Sequence, residues 1–118
     1  MTFKESITTC LTKYAVFTGR APRSEYWWFV LAQLLIGFGI GFIGGFLGIN
    51  MGGLSLIAML VMFLPGLAVA IRRLHDLGKS GWFYLLIFIP IIGALVLLYW
   101  FVQPSAPETN EYGAAPIL

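Results

Sequence analysis

The sequence predicts an all-α membrane protein, with three transmembrane helices preceded by an amphipathic N-terminal interfacial helix. Three observations lead there. Hydrophobic residues make up 59% of the 118 positions and charged residues only 10%, against roughly 25% charged in an average soluble domain. A chain this short has too much surface for so few charges to cover, so the surface faces lipid. Three long stretches, at about 26–48, 54–71 and 82–102, hold no charged residue. The seven bases all fall before the first stretch or between the second and third.

These stretches divide the chain into an interfacial helix and linker (1–24), a three-span domain (25–102) and an extended tail (103–118). Over residues 2–17, Phe3, Ile7, Cys10, Leu11, Tyr14 and Phe17 recur at spacings of three and four, which places them on one helix face. Thr2 followed by Glu5 fits a capping box. Such a helix rests its apolar face at the headgroup boundary or packs on a partner or on the spans. Cys10 is the sole cysteine and reads as a small apolar residue on that face. Gly19 and Pro22 then break the helix, and Ser24 is placed to cap the next one.

The first span has 23 residues, or about 34 Å at roughly 1.5 Å each, enough to cross a hydrocarbon core of about 30 Å. Tyr26, Trp27 and Trp28 at its start, and Trp82 and Trp100 about 27 Å apart along the third span, are candidate interface anchors. Residues 49–53 make a short uncharged turn. Pro65-Gly66 kinks the second span and Pro90 bends the third. Pro90 and Gly93 also leave room for a third segment that re-enters rather than crosses. The apolar stretch begins too late and runs too long for a cleaved signal peptide.

The bases Lys4, Lys13, Arg20 and Arg23 precede the first span, and Arg72, Arg73 and Lys79 follow the second. The positive-inside rule puts the N-terminus and the second loop in the cytoplasm and, with three crossings, the tail outside. In the first span Gly37, Gly41 and Gly45 fall at successive fours, and Gly44 and Gly48 repeat the spacing. Small residues at this spacing let helices approach closely, either within the chain or between copies. Gln33 and Ser55 are the main polar side chains in the spans and neither ionises. That argues against transport driven by ions or protons.

Two segments concentrate charge: Phe17-Thr18-Gly19-Arg20-Ala21 through Arg23-Ser24-Glu25-Tyr26-Trp27, and Arg72-Arg73-Leu74-His75-Asp76 with Gly78, Lys79 and Ser80-Gly81-Trp82. Together with Ile89-Pro90-Ile91-Ile92-Gly93, and with Asn110, Tyr112-Gly113 and Pro116 in the tail, they resemble the domain-of-unknown-function 805 family of small bacterial inner-membrane proteins (YhaH-like). Ser105, Glu108 and Glu111 depart from its tail pattern. The resemblance implies a bacterial inner membrane and several spans, and no established activity.

The cluster of Arg20, Arg23, Glu25, Arg72, Arg73, His75, Asp76 and Lys79 has two readings. It anchors the inner face electrostatically, with Glu25 and Asp76 pairing some of the bases. Alternatively, it forms a site for an anionic lipid headgroup, a phosphate or an acidic partner segment, to which arginine forks are suited. Catalysis is not expected: His75 and Asp76, adjacent on a helix, point about 100° apart. No serine motif, phosphate loop or metal-ligand spacing stands out, so no cofactor, metal or nucleic acid is expected. The reading is an accessory or assembly component without enzymatic activity, touching membrane lipids, another membrane protein or a second copy. The alternative is a small oligomeric transporter or permeability component.

Overall fold

A computed structural model describes residues 2–116. It is helical: α1 (Phe3–Thr12), α2 (Arg23–Leu47), α3 (Gly52–Asp76), a 3-10 helix (Gly81–Phe88) and α4 (Ile92–Phe101). Among the described residues the one β feature is an isolated bridge between Asn110 and Gly113.

The capping box at the start of α1 forms. The Thr2 hydroxyl accepts from the Glu5 amide, and the Thr2 amide donates to the Glu5 carboxylate, both at 3.2 Å. That contact with Thr2 holds the Glu5 carboxyl below its ordinary value. The helix stops at Thr12, five residues short of the sequence expectation. Its buried face is Ser6 and Cys10, with Cys10 in a cluster of Ala21, Phe29 and Val69. Phe3 and Leu11 stay exposed. The face that α1 buries is thus turned toward α2 and α3, and the Ser6 hydroxyl donates to the Glu25 carbonyl at 2.6 Å.

Two helices, Arg23–Leu47 and Gly52–Asp76, are long and apolar enough to cross a membrane. At roughly 1.5 Å per residue each 25-residue helix reaches about 37 Å. The first begins at Arg23, so Ser24 lies inside it rather than capping it, and the Ser24 hydroxyl is buried without a hydrogen-bond partner. The second runs five residues beyond the expected end and takes Arg72, Arg73, His75 and Asp76 onto its last turns. A Schellman motif ends it: Gly78 at φ +76° donates to His75 and Lys79 donates to Leu74, both at 2.9 Å. Inside α3, Pro65 has no N–H to give to the Val61 carbonyl one turn back. The Tyr14 hydroxyl donates to that carbonyl instead. The Gln33 amide nitrogen donates to the next one, Met62, at 3.5 Å. Side chains from outside α3, one just after α1 and one on α2, thus meet the backbone one turn before Pro65-Gly66.

The third segment corrects the sequence reading. Residues 82–102 do not form one crossing helix but a hairpin. The 3-10 helix leads out and α4 leads back, so that Phe83 meets Trp100 at a ring distance of 5.6 Å and Lys79 sits 4.6 Å over Trp100. Trp82 and Trp100 therefore cannot be anchors at opposite interfaces. The turn is built by Pro90-Ile91-Ile92: Ile91 takes φ +65°, ψ −65°, and the Ile92 amide donates to the Pro90 carbonyl at 2.7 Å, a γ-turn. Gly93 is required after it, because a Cβ there would run into the Leu86 carbonyl. Neither arm of the hairpin is long enough to cross: eight residues at about 2.0 Å and ten at about 1.5 Å each give about 15 Å. The hairpin covers only the half of α2 and α3 nearest the arginines.

Beyond it, the two long helices stand largely uncovered toward their 48–51 turn. Phe38, Phe42 and Phe46 stack along one exposed ridge. A groove of about 300 Å³ lies between the helices, lined by Gln33, Gly37, Ser55 and Met59 among others. The glycine pattern is split. Gly44 packs against Met51, and Gly48 is the left-handed residue that ends α2 at φ +66°. A Cβ on Gly37, Gly41 or Gly45 would meet nothing within 4 Å. Those three glycines do not pack on the other helices of the chain, contrary to one of their two sequence readings.

Candidate functional site

The charged residues singled out in the sequence converge where α2 begins, α3 ends and α4 returns, and most of them are inside the protein. Arg20 is 8% exposed, Glu25 1%, and Arg72, Arg73 and Asp76 are fully buried. Three guanidiniums thus share two carboxylates. Asp76 takes one oxygen from Arg20 at 2.9 Å and the other from Arg73 at 2.6 Å. Glu25 is held by Arg72 at 2.6 Å. Arg72 and Asp76, a turn apart on α3, are not partners, since their side chains serve different neighbours.

The unbalanced positive charge is met by backbone carbonyls. Arg20 uses all five of its donors. Nε goes to the Asp76 carboxylate and Nη2 to the carbonyls of Asp76 and Ala106. Nη1 goes to the carbonyls of Glu108 and Gly113. Arg73 adds the carbonyls of Phe101 and Gln103, and Trp27 donates to Phe101 at 2.8 Å. Arg72 is the exception: its Nε and Nη2 have no hydrogen-bond partner. Nearby, burial pushes the Cys10 thiol up to about 12, with the Glu25 charge adding to the effect.

This network fastens the tail. Residues 103–116 run back over the cluster, where Asn110 donates to the His75 carbonyl at 3.0 Å and the Tyr112 ring stacks on His75 at 3.9 Å, nearly parallel. Gly113 closes the loop by exchanging two hydrogen bonds with Asn110, at φ +127°. The tail therefore ends up beside Arg20, at the same end of the bundle as the start of α2. The sequence expectation of a tail on the outer side required a continuous third span, which residues 82–102 do not form.

The bases left at the surface are fewer than the sequence suggested. Lys4 and Arg23 are exposed, Lys13 and Lys79 partly so, and Arg23 also donates to the Val102 carbonyl at 3.1 Å. Of the aromatic residues at the start of α2, Tyr26 packs on Phe101 at 4.5 Å and Trp28 meets Phe3 at 5.7 Å.

Beside the cluster lies a second feature that the sequence did not reveal. A cleft of about 330 Å³ is walled by Phe17, Ile71, Gly81, Trp82 and Tyr112, with His75 and Ser80 adding to the polar groups of the two aromatic residues Trp82 and Tyr112. His75 Nδ1 lies 3.1 Å from the Gly19 carbonyl. A carbonyl only accepts, so Nδ1 carries a proton, and in the neutral ring Nε2 then presents a lone pair. His75 and Asp76 thus face different partners. Among the described residues, no group of three or more His, Cys, Asp or Glu side chains is placed to hold a metal ion.

The sequence of this chain is similar to others. The family described as a protein of unknown function, DUF805, matches residues 14–114. The chain belongs to the DUF805 family. It is 46% identical over 106 residues to the inner membrane protein YhaI of Escherichia coli K12, covering 90% of each chain. To the inner membrane protein YhaH of the same strain it is 39% identical over 112 residues, covering 92% of this chain and 93% of the relative. No solved structure matches. The DUF805 match takes in Arg20, Arg73, Asp76 and Gly113, which bind the tail to the bundle, and Glu25 and Arg72 beside them.

Proposed function

We propose that this protein is an accessory or assembly component of a bacterial inner membrane, without enzymatic activity. It meets anionic lipid or a partner protein through the bases left at the rim of a pre-ordered cytoplasmic face. Two long apolar helices and two relatives named as inner membrane proteins support the membrane placement. The observation that carries the rest is the buried network. Arg20, Arg72 and Arg73 are consumed in holding Glu25, Asp76 and the tail. This leaves Lys4, Lys13, Arg23 and Lys79 to face headgroups or a partner. Each such base attracts an anionic surface by about 1 kcal/mol.

The orientation follows from the same arrangement. With every base beside the ends of the 3-10/α4 hairpin or on α1, that end is cytoplasmic. The 48–51 turn is outside, the third segment is re-entrant, and the tail returns to the cytoplasm. Non-helical backbone at membrane depth is tolerated where protein covers it, as α2 and α3 do for one side of the hairpin.

Native mass spectrometry of the protein extracted gently from its membrane tests the lipid or partner contact. A co-purifying anionic lipid or protein that is lost when Lys4, Lys13, Arg23 and Lys79 are together changed to glutamine supports the proposal. Unchanged binding in that variant rejects it. The transporter reading draws on one observation, the open Gly37, Gly41 and Gly45 face. It requires a discrete homo-oligomer in the same spectrum.

A further inference from the structure

The aromatic cleft beside His75 has the features of a small-molecule site, and its chemistry narrows the ligand. At about 330 Å³ it stands at the lower end of ligand pockets, which run roughly 300–1,000 Å³. No Lys, Arg, Asp or Glu side chain lines it, so it offers no Lys or Arg to balance the charge of a phosphate or an anionic headgroup. Its walls, Phe17, Ile71, Trp82 and Tyr112, suit a flat apolar ring. Beside the hydroxyl of Tyr112 and the indole N–H of Trp82, the side chains of His75 and Ser80 ask for two complementary atoms. His75 Nε2, the acceptor of the neutral ring whose Nδ1 donates to the Gly19 carbonyl, has no hydrogen-bond partner among the described residues and lies beside Gly81. The Ser80 hydroxyl already accepts from the Trp82 amide at 3.3 Å, so its own proton is free to be donated. An acceptor and a donor across an aromatic slot match a ring that carries a hydroxyl and a second oxygen.

We infer that this cleft binds the neutral hydroxylated ring of a phenol or quinol, its hydroxyl donating to His75 Nε2 and a second ring oxygen accepting from Ser80. The fully oxidised quinone is a poorer fit, because it has only acceptors to set against the lone pair of Nε2. Exposed Trp82, at the start of the re-entrant segment, gives an apolar chain on the ring a path toward lipid. Gly81 keeps the floor open: a Cβ there would stand 2.7 Å from the Ile71 side chain and 3.5 Å from His75 Nε2. The position of the cleft at a bilayer boundary rests on the orientation proposed above. The binding chemistry does not, so the two fail separately.

The protein has one histidine, so ¹⁵N-histidine labelling reports on this site alone. The wild-type protein in detergent micelles is titrated with decyl-ubiquinol, with the same hydroquinone lacking the decyl chain, and with decyl-ubiquinone. The inference expects a protonated Nδ1 at pH 8 and a saturable shift of the Nε2 resonance with the quinol. Binding of the quinone should be at least about tenfold weaker. Ser80→Ala should weaken quinol binding by a factor of about 3 to 10, and Gly81→Ala should abolish the shift in a protein with the wild-type fold. A decyl requirement assigns a membrane-borne ligand, and equal binding of the chainless ring assigns a soluble phenol. A proton on Nε2 in the free protein, no saturable shift, or equal shifts with quinol and quinone would overturn the inference.

Discussion

At the scale of single residues, the account rests on arginines that do not face water. A buried guanidinium is tolerated only when its partners are complete, and removing one partner of a buried pair costs about 3–5 kcal/mol because the other charge is left alone. Asp76 partners two guanidiniums, so Asp76→Ala should lower stability by at least that much, seen as a large drop of the thermal midpoint in detergent. A change below about 1 kcal/mol, the range of a solvent-exposed pair, would show the pair to be exposed. Arg20→Lys tests the geometry rather than the charge. An ammonium has three donors where this site uses five, so the bundle should fold while protease cleavage within residues 103–116 accelerates. Cys10 reports on α1: its thiol, pushed up to about 12 by burial, is protonated at pH 8 and should react slowly with maleimide. Reaction at the rate of a free thiol would mean that α1 is not docked on α2 and α3.

At the scale of elements, the helices were legible and their turns were not. Hydrophobic runs and the absence of charge located α2 and α3, and the Thr2–Glu5 spacing located the start of α1. The sequence could not show that α3 continues through Arg72, Arg73 and Asp76, because a charged turn reads as a loop unless its partners are known. Those partners are Glu25, Arg20 and the carbonyls of Phe101 and Gln103, between 28 and 56 positions away along the chain, apart from the local Arg73–Asp76 pair. The hairpin was hidden for another reason. Its length matches a span, and only Pro90 and Gly93 hinted that it turns. Ile91 supplies a test of that turn: a β-branched residue at φ +65° is strained. Ile91→Gly should therefore stabilise the fold by about 1 kcal/mol, read from thermal unfolding. Destabilisation would argue against a reversal at this residue. The cap of α1 gives a pH dependence. The Glu5 carboxyl is lowered in the folded state, so its contribution is present above the ordinary carboxylate range and is lost as pH falls through the folded value. The stability difference between wild type and Glu5→Gln should disappear at low pH; a constant difference would exclude the carboxylate as its source.

At the scale of the whole molecule, two long apolar helices are closed at one end by the hairpin of the 3-10 helix and α4 and by a returning tail, with the buried arginines as the fastening. The tail looked independent in the sequence because it has three prolines and no base. What ties it down is its backbone, whose carbonyls no residue pattern displays. Asn110, Tyr112 and Gly113 were the one visible signal, and they turn out to shape the loop that brings the Gly113 carbonyl to Arg20. The bundle is consequently asymmetric: ordered and polar at the arginine end, bare and apolar at the 48–51 turn. The measurement that bears most directly on this account is the side of the membrane on which the C-terminus lies. A fluorescent protein that matures only in the cytoplasm and a phosphatase active only outside it, each fused after residue 118, give the answer. The account predicts fluorescence without phosphatase activity. Phosphatase activity without fluorescence would mean that residues 82–102 cross the membrane and that the tail cannot reach Arg20.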